Sequence, residues 1–263
     1  MKVVLFCGGL GTRLRDYSEA IPKPMVKIGY RPILWNIMKY YAHFGHTDFI
    51  LALGYKADVI KDYFVNYDET ISNDFVFSKG GKDIQLKASD IDDWTITFVD
   101  TGAESNIGQR LMCVREHLGD DKMFLANYAD GLSNLDLNAH IEAFRAQPDK
   151  VAAMVTYSPV GTFHLVSATD GGLVTSIEPM SATNQMLNTG YFVLRNEIFD
   201  HMNYGEELVF EPFQRLIAKK MLIAHQHNGF WMAMDTFKDK MALDEMYEKG
   251  QSPWEVWKKS PAI

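Results

Sequence analysis

The apolar run Val3-Val4-Leu5-Phe6-Cys7 leads without a break into Gly8-Gly9-Leu10-Gly11-Thr12-Arg13-Leu14, and this junction constrains the fold more than any other feature of the 263 residues. A buried strand ending in a glycine turn opens a βα unit. Three glycines leave backbone N–H groups free to close around anionic oxygens. Pro22-Lys23-Pro24-Met25 follows a short distance on, so Arg13 and Lys23 bring positive charge to the same place. The combination predicts a nucleotide phosphate site. Two familiar glycine motifs fit it poorly: a dinucleotide fingerprint needs glycine where Leu14 stands, and a Walker-type loop needs Gly-Lys-Ser/Thr where Gly11-Thr12-Arg13 stands.

Strand and helix signals alternate beyond the loop. Ile33, Leu34, Ile37, Met38, Tyr41 and Phe44 recur at helical spacing, and Phe49–Leu53 is a continuous apolar run ending at Gly54. A helix is expected over 57–67, a strand over 94–99, a helix over 109–117 and a strand over 123–126. This rhythm predicts an α/β fold with a doubly wound, mostly parallel sheet covered on both faces. The second half is richer in strand signals, at 151–157, 173–177 and 187–194, before helices near 210–219 and 237–249. No linker divides the halves, so one domain is expected, with residues 1 to about 135 binding nucleotide and 136 to 263 binding an acceptor. The polar stretch 68–93 reads as an excursion from the sheet or a flap over the site. Trp254 and Trp257 read as packing anchors.

A formal net charge of -8 argues against binding to nucleic acid or an anionic membrane. Residues 1–31 nevertheless carry six basic side chains (Lys2, Arg13, Arg15, Lys23, Lys27, Arg31) against Asp16 and Glu19, a local field that would attract a polyphosphate. The opening apolar run is too short for a signal peptide, and no stretch approaches the ~20 apolar residues of a membrane span, so a cytoplasmic protein is expected. Cys7 and Cys113 lack metal-ligand spacing and read as buried reduced thiols.

Ligands of an open parallel sheet bind beyond the carboxyl ends of its strands. Three such ends are polar: the glycine loop, Asp100-Thr101-Gly102 after Val99, and Asn127-Tyr128-Ala129-Asp130-Gly131 after Ala126. A carboxylate at such an end suits Mg²⁺, which takes oxygen ligands and bridges one or two carboxylates to substrate phosphates. Asp130 is therefore a candidate metal ligand.

Gly-Gly-x-Gly-Thr-Arg-Leu with a downstream Pro-Lys-Pro-Met resembles the amino-terminal signature of the nucleoside-diphosphate-sugar pyrophosphorylases, the sugar-1-phosphate nucleotidyltransferases. Arg31-Pro32-Ile33-Leu34-Trp35, Gly54-Tyr55-Lys56, Arg110-Leu111, Gly229-Phe230-Trp231 and Met234-Asp235-Thr236 extend the likeness over nearly the full chain. Within the family they are most similar to members acting on CTP and glucose 1-phosphate. The resemblance implies a Rossmann-like fold, a homo-oligomer and Mg²⁺-assisted attack of a sugar phosphate on the α-phosphorus of a nucleoside triphosphate, without a covalent intermediate. It implies that Gly8, Gly9, Leu10, Gly11, Thr12 and Arg13 hold the triphosphate, that Lys23 reaches the α-phosphate, and that Asp130 and Asp235 bind the metal. It also places base recognition at Gln109 and Arg110, whose donors suit the cytosine acceptors. UTP and dTTP remain alternatives.

The acceptor side departs from the family pattern. Where Glu-Lys-Pro is usual, with the lysine on the acceptor phosphate, this chain reads Glu178-Pro179-Met180; where Phe-Gly is usual, it reads Phe163-His164. His164, Glu178 and Asn188, the last matching a family acceptor asparagine, are the acceptor candidates. Three readings stay open: glucose 1-phosphate with another phosphate clamp, a different phosphorylated sugar or polyol, or a noncatalytic nucleotide sensor. Retention of both Asp130 and Asp235 favours chemistry over sensing.

Overall fold

Seven strands build the central sheet: β1 (Val3–Phe6), β2 (Asp48–Leu53), β3 (Thr95–Asp100), β4 (Met123–Asn127), β5 (Ala152–Tyr157), β6 (Leu187–Arg195) and β7 (Leu222–His227). In this computed structural model, which describes residues 1–9, 21–158, 164–180 and 185–258, they lie in the order β7-β5-β6-β4-β1-β2-β3. Only β6 runs antiparallel to its neighbours; every other pairing is parallel. The expected doubly wound, mostly parallel sheet is therefore present.

Helices α1 (Ile33–His43), α2 (Ala57–Val65), α3 (Ile107–Val114), α4 (Leu137–Arg145), α5 (Glu211–Ala218) and α6 (Phe237–Glu248) cover both faces. Because side chains alternate along a strand, β1 feeds both layers. Val3, Leu5 and Cys7 pack with residues of α1, α2, α4 and α6. Val4 and Phe6 pack with Leu111 and Val114 of α3 and Phe213 and Leu216 of α5. All of β1 is buried, which explains an apolar run with no polar alternation.

The chain moves from β1 to β2 and β3 on one side and returns to β4 on the other. The carboxyl ends of β1 and β4 thus border the crevice where the strand order reverses.

Two elements differ from the sequence reading. The strand expected at 173–177 forms as Val174–Pro179 and, among the described residues, pairs with His164–Ala168 in a ribbon separate from the main sheet. Helix α4 has no counterpart among the expected helices; Asp136 caps it by accepting from the Ala139 amide at 3.0 Å. The stretch 68–93 is an excursion holding a hairpin, Phe75–Ser78 with Asp83–Leu86. Its base is fixed by the buried Arg31, which donates to the Tyr63 hydroxyl (3.1 Å) and the Asp68 carbonyl (2.8 Å), contacts Ser72, and lies 3.6 Å from Asp90. Lys39 reaches Asp90 from α1 at 3.3 Å. Trp254 is buried as expected, and Trp257 meets Trp35 edge-on. Cys7 is buried, whereas Cys113 is exposed, contrary to expectation, because it lies off the core face of α3 formed by Leu111 and Val114. No helix among the described residues is long and apolar enough to cross a membrane.

Candidate active site

Lys23 is presented from a three-residue 3₁₀ turn, Lys23–Met25, bounded by Pro22 and anchored by the buried Pro24 and Met25. Its Nζ donates to Asp130 Oδ2 and to Asp235 Oδ1, each at 2.7 Å. Two prolines limit the backbone on either side of the lysine, so its ammonium is delivered from a defined origin.

The two carboxylates meet because two short strands pair. Gly131–Ser133 lies antiparallel to Trp231–Ala233, with Gly131 opposite Ala233, and the Met234 amide donates to the Asp130 carbonyl at 2.9 Å. Asp130 precedes one strand and Asp235 follows the other, so the register sets them side by side. The turn that aims Asp130 is strained: Ala129 has φ 61°, a left-handed conformation unusual for a residue with a Cβ. Asn127 holds it, its Oδ1 accepting from the Ala129 amide (2.9 Å) while its Nδ2 donates to the Tyr41 hydroxyl (3.1 Å).

Burial acts to lower the Lys23 pKa, but the two carboxylates outweigh it and the ammonium is held above its usual value. Burial likewise raises the Asp130 carboxyl; Asp235 adds to the rise and Lys23 opposes it. Among the described residues no three His, Cys, Asp or Glu side chains converge as a metal cage. Two carboxylates facing one position already taken by a cationic group nevertheless fit Mg²⁺, which keeps waters and substrate phosphates as its other ligands.

Gly8 and Arg110 come together at the carboxyl end of β1, whereas Gln109 turns to the start of its own helix. The Arg110 guanidinium is 2% exposed and donates to the carbonyls of Leu53 (3.1 Å), Gly102 (2.9 Å), Ala103 (3.2 Å) and Gly8 (2.9 Å), and to the Thr101 hydroxyl (2.7 Å). It therefore ties three strand-end loops together. Gln109 forms a capping box with Asn106: the Gln109 amide donates to Asn106 Oδ1 at 2.8 Å and the Asn106 amide to Gln109 Oε1 at 2.9 Å. Gly9 is exposed at the mouth. Leu10, Gly11, Thr12 and Arg13 lie outside the described residues.

Of the acceptor candidates, Asn188 adjoins the turn that precedes Asp130, its Nδ2 donating to the Tyr128 hydroxyl at 3.2 Å. His164 and Glu178 sit on the ribbon, both exposed. His164 is opposite Pro179 and Glu178 is opposite Leu165, so the pleat points the two side chains to opposite faces. The structure does not bring them together. Sequence reasoning placed Asn127, Tyr128 and Ala129 at a polar strand end but not their parts in holding the turn and Asn188.

Residues 2–250 match the Nucleotidyl transferase family. The chain is similar to the glucose-1-phosphate cytidylyltransferases of Salmonella typhimurium and Salmonella typhi, each 40% identical over 258 residues, 98% of this chain and 100% of theirs. Among solved structures it resembles the UTP-bound UGPase from Acinetobacter baumannii, with TM-score 0.68 and 17% identity, covering 97% of this chain and 99% of the other. That likeness shows the fold; the glycine-loop strand, the Lys23 turn and the full-length identity together show that the chain belongs to the nucleotidyl transferase family.

Proposed function

We propose that the protein joins CTP to a sugar 1-phosphate, glucose 1-phosphate being the favoured acceptor, and releases a CDP-sugar and pyrophosphate. The observation that carries this reading is the convergence of Lys23, Asp130 and Asp235 beside the switch-point crevice, in a chain matching cytidylyltransferases along its length.

The reaction brings two polyanions together and moves negative charge onto departing pyrophosphate, so positioning and charge neutralisation do most of the work. The amides of Gly9, Leu10, Gly11 and Thr12, with Arg13, grip the triphosphate. Lys23 neutralises the α-phosphate oxygens as the acceptor phosphate attacks from the side opposite the leaving group. Asp130 and Asp235 would hold Mg²⁺, which when bound supplies further charge neutralisation between the two phosphates.

Arg110 serves the base site by positioning: contrary to the expected direct contact, its buried guanidinium is spent on Thr101 and on the carbonyls of Leu53, Gly102, Ala103 and Gly8, and so holds the strand-end loops that would face the base, where cytosine presents acceptors and uracil or thymine an N–H. Asn188 faces the acceptor from β6. His164 and Glu178 lie on different faces of their ribbon, which favours one of them, and not both, as an acceptor contact within a single chain. The same division keeps a second reading in view, another phosphorylated sugar or polyol, or a sensor without an acceptor. The protein is read as cytoplasmic and homo-oligomeric, binding neither nucleic acid nor membrane.

Pyrophosphate release with Mg²⁺, measured for CTP, UTP, dTTP and GTP against a panel of sugar and polyol phosphates, tests the reading. CTP with glucose 1-phosphate is expected to lead. Preference for UTP or dTTP would overturn the base assignment, and binding of nucleotide without turnover on any acceptor would leave the sensor.

A further inference from the structure

We infer that the Lys23 ammonium is a built-in placeholder: in the nucleotide-free protein it holds the cation position between Asp130 and Asp235 and keeps a divalent ion from binding there ahead of the nucleotide. This rests on reading Asp130 and Asp235 as the metal carboxylates.

The geometry is that of an occupied cation site. One Nζ lies 2.7 Å from an oxygen of each aspartate, the separation of a charge-assisted hydrogen bond. Both carboxylates therefore spend a lone pair on the same ammonium. The lysine side chain is 14% exposed and that of Asp130 25%, so solvent screens this contact weakly, whereas the Asp235 side chain, at 45%, stays open to water. A divalent ion approaching the same oxygens would face a fixed positive charge within contact distance, and no third acidic group among the described residues compensates for it.

The turn also offers the ammonium a way out. Pro24 and Met25 are buried and Pro22 fixes the entry, so the backbone stays put and the four-carbon stem alone can swing. An anionic phosphate entering beside Gly9 would draw the ammonium off the aspartates and leave both carboxylates open. Lys23 thus serves twice, as the resting counter-ion of the carboxylates and as the cation of the α-phosphate. Nucleotide and metal are coupled through one side chain. Among the described residues the Lys23 ammonium donates to the two carboxylates of the proposed metal pair, a contact that a lysine merely bracing the fold would have no reason to divide between them.

Mn²⁺ binding to nucleotide-free protein, read by the loss of the free-ion EPR signal, tests this without any turnover. Lys23→Met should bind Mn²⁺ about ten-fold or more tighter than wild type, because a neutral side chain removes the competing charge. Lys27→Met, which removes an exposed positive charge nearby, should stay within about two-fold of wild type. Lys23→Met with Asp130→Asn should lose the gain. If Lys23→Met is poorly folded by circular dichroism, Lys23→Gln replaces it. Equal affinity in wild type and the Lys23 variant, or an equal gain in Lys27→Met, overturns the placeholder role. Failure to form any CDP-sugar, with the Lys23 gain intact, would instead count against the proposed function alone.

Discussion

A Cβ placed on Gly8 would stand 2.0 Å from Nη1 of Arg110. Glycine is thus required at position 8 by the guanidinium beneath it. Gly54 meets the same group, its Cβ position lying 2.6 Å from Nη1. One arginine fixes how closely β1, β2 and the loop after β3 approach at the crevice.

Gly8→Ala is expected to displace Arg110 from its carbonyls and weaken CTP binding by about 10²-fold, a loss of roughly 3 kcal/mol. Arg110→Ala in the same chain should recover part of that loss, since the clash is gone. Steady-state KM for CTP in the two single variants and the double variant measures the coupling.

Lys23→Ala should fold normally and lose about 10²-fold or more in kcat, because the charge at the α-phosphate is removed. Near wild-type turnover would place the catalytic cation elsewhere. Asp235→Asn should act differently, raising the Mg²⁺ concentration needed for half-maximal rate as well as lowering kcat. A Mg²⁺ titration of the two variants separates the roles.

Asp90→Asn leaves the buried Arg31 and its neighbour Lys39 without a carboxylate. Removing one partner of a buried ion pair costs about 3 kcal/mol or more. The urea midpoint should fall accordingly, and the hairpin Phe75–Leu86 should become protease-sensitive before the sheet does.

His140 is 1% exposed and its Nε2 has no hydrogen-bond partner among the described residues. Burial, with His225 adding, pushes its pKa down to about 3. Above pH ~6.5 the ring is neutral in folded and unfolded chains alike. Below that the unfolded chain takes up a proton which the folded one refuses, so stability falls with pH through the window from about 6.5 to about 3, by up to ~1.4 kcal/mol per unit. Thermal unfolding across pH 4–8 should show this decline, and His140→Gln should flatten it. His46, lowered to about 4 mainly by burial, adds in the same direction.

Much of this architecture is legible in the sequence because it rests on local pattern. The apolar run of β1, the helical spacing from Ile33 to Tyr41 and the strand-end position of Asp130 follow from burial and periodicity alone. The antiparallel direction of β6 does not, since an apolar strand covered on both faces reads the same whichever way it runs. The three-residue strands that join Asp130 to Asp235 are too short to carry a period, so only resemblance linked those residues. Ala129 hides its left-handed turn because nothing about alanine advertises φ 61°. The ribbon carrying His164 and Glu178 alternates correctly, yet motif spacing alone does not reveal that the pleat turns the two side chains apart.

The meeting of Asp130 and Asp235 depends on Trp231–Ala233 closing against Gly131–Ser133, and that strand lies late in the chain. A polypeptide emerging from the ribosome therefore acquires its glycine loop, its lysine turn and the first aspartate long before the second aspartate exists. The pairing that sets the two aspartates side by side can close only once Trp231–Ala233 has been made, so a chain stopped before that strand holds Lys23 and Asp130 but not the proposed carboxylate pair.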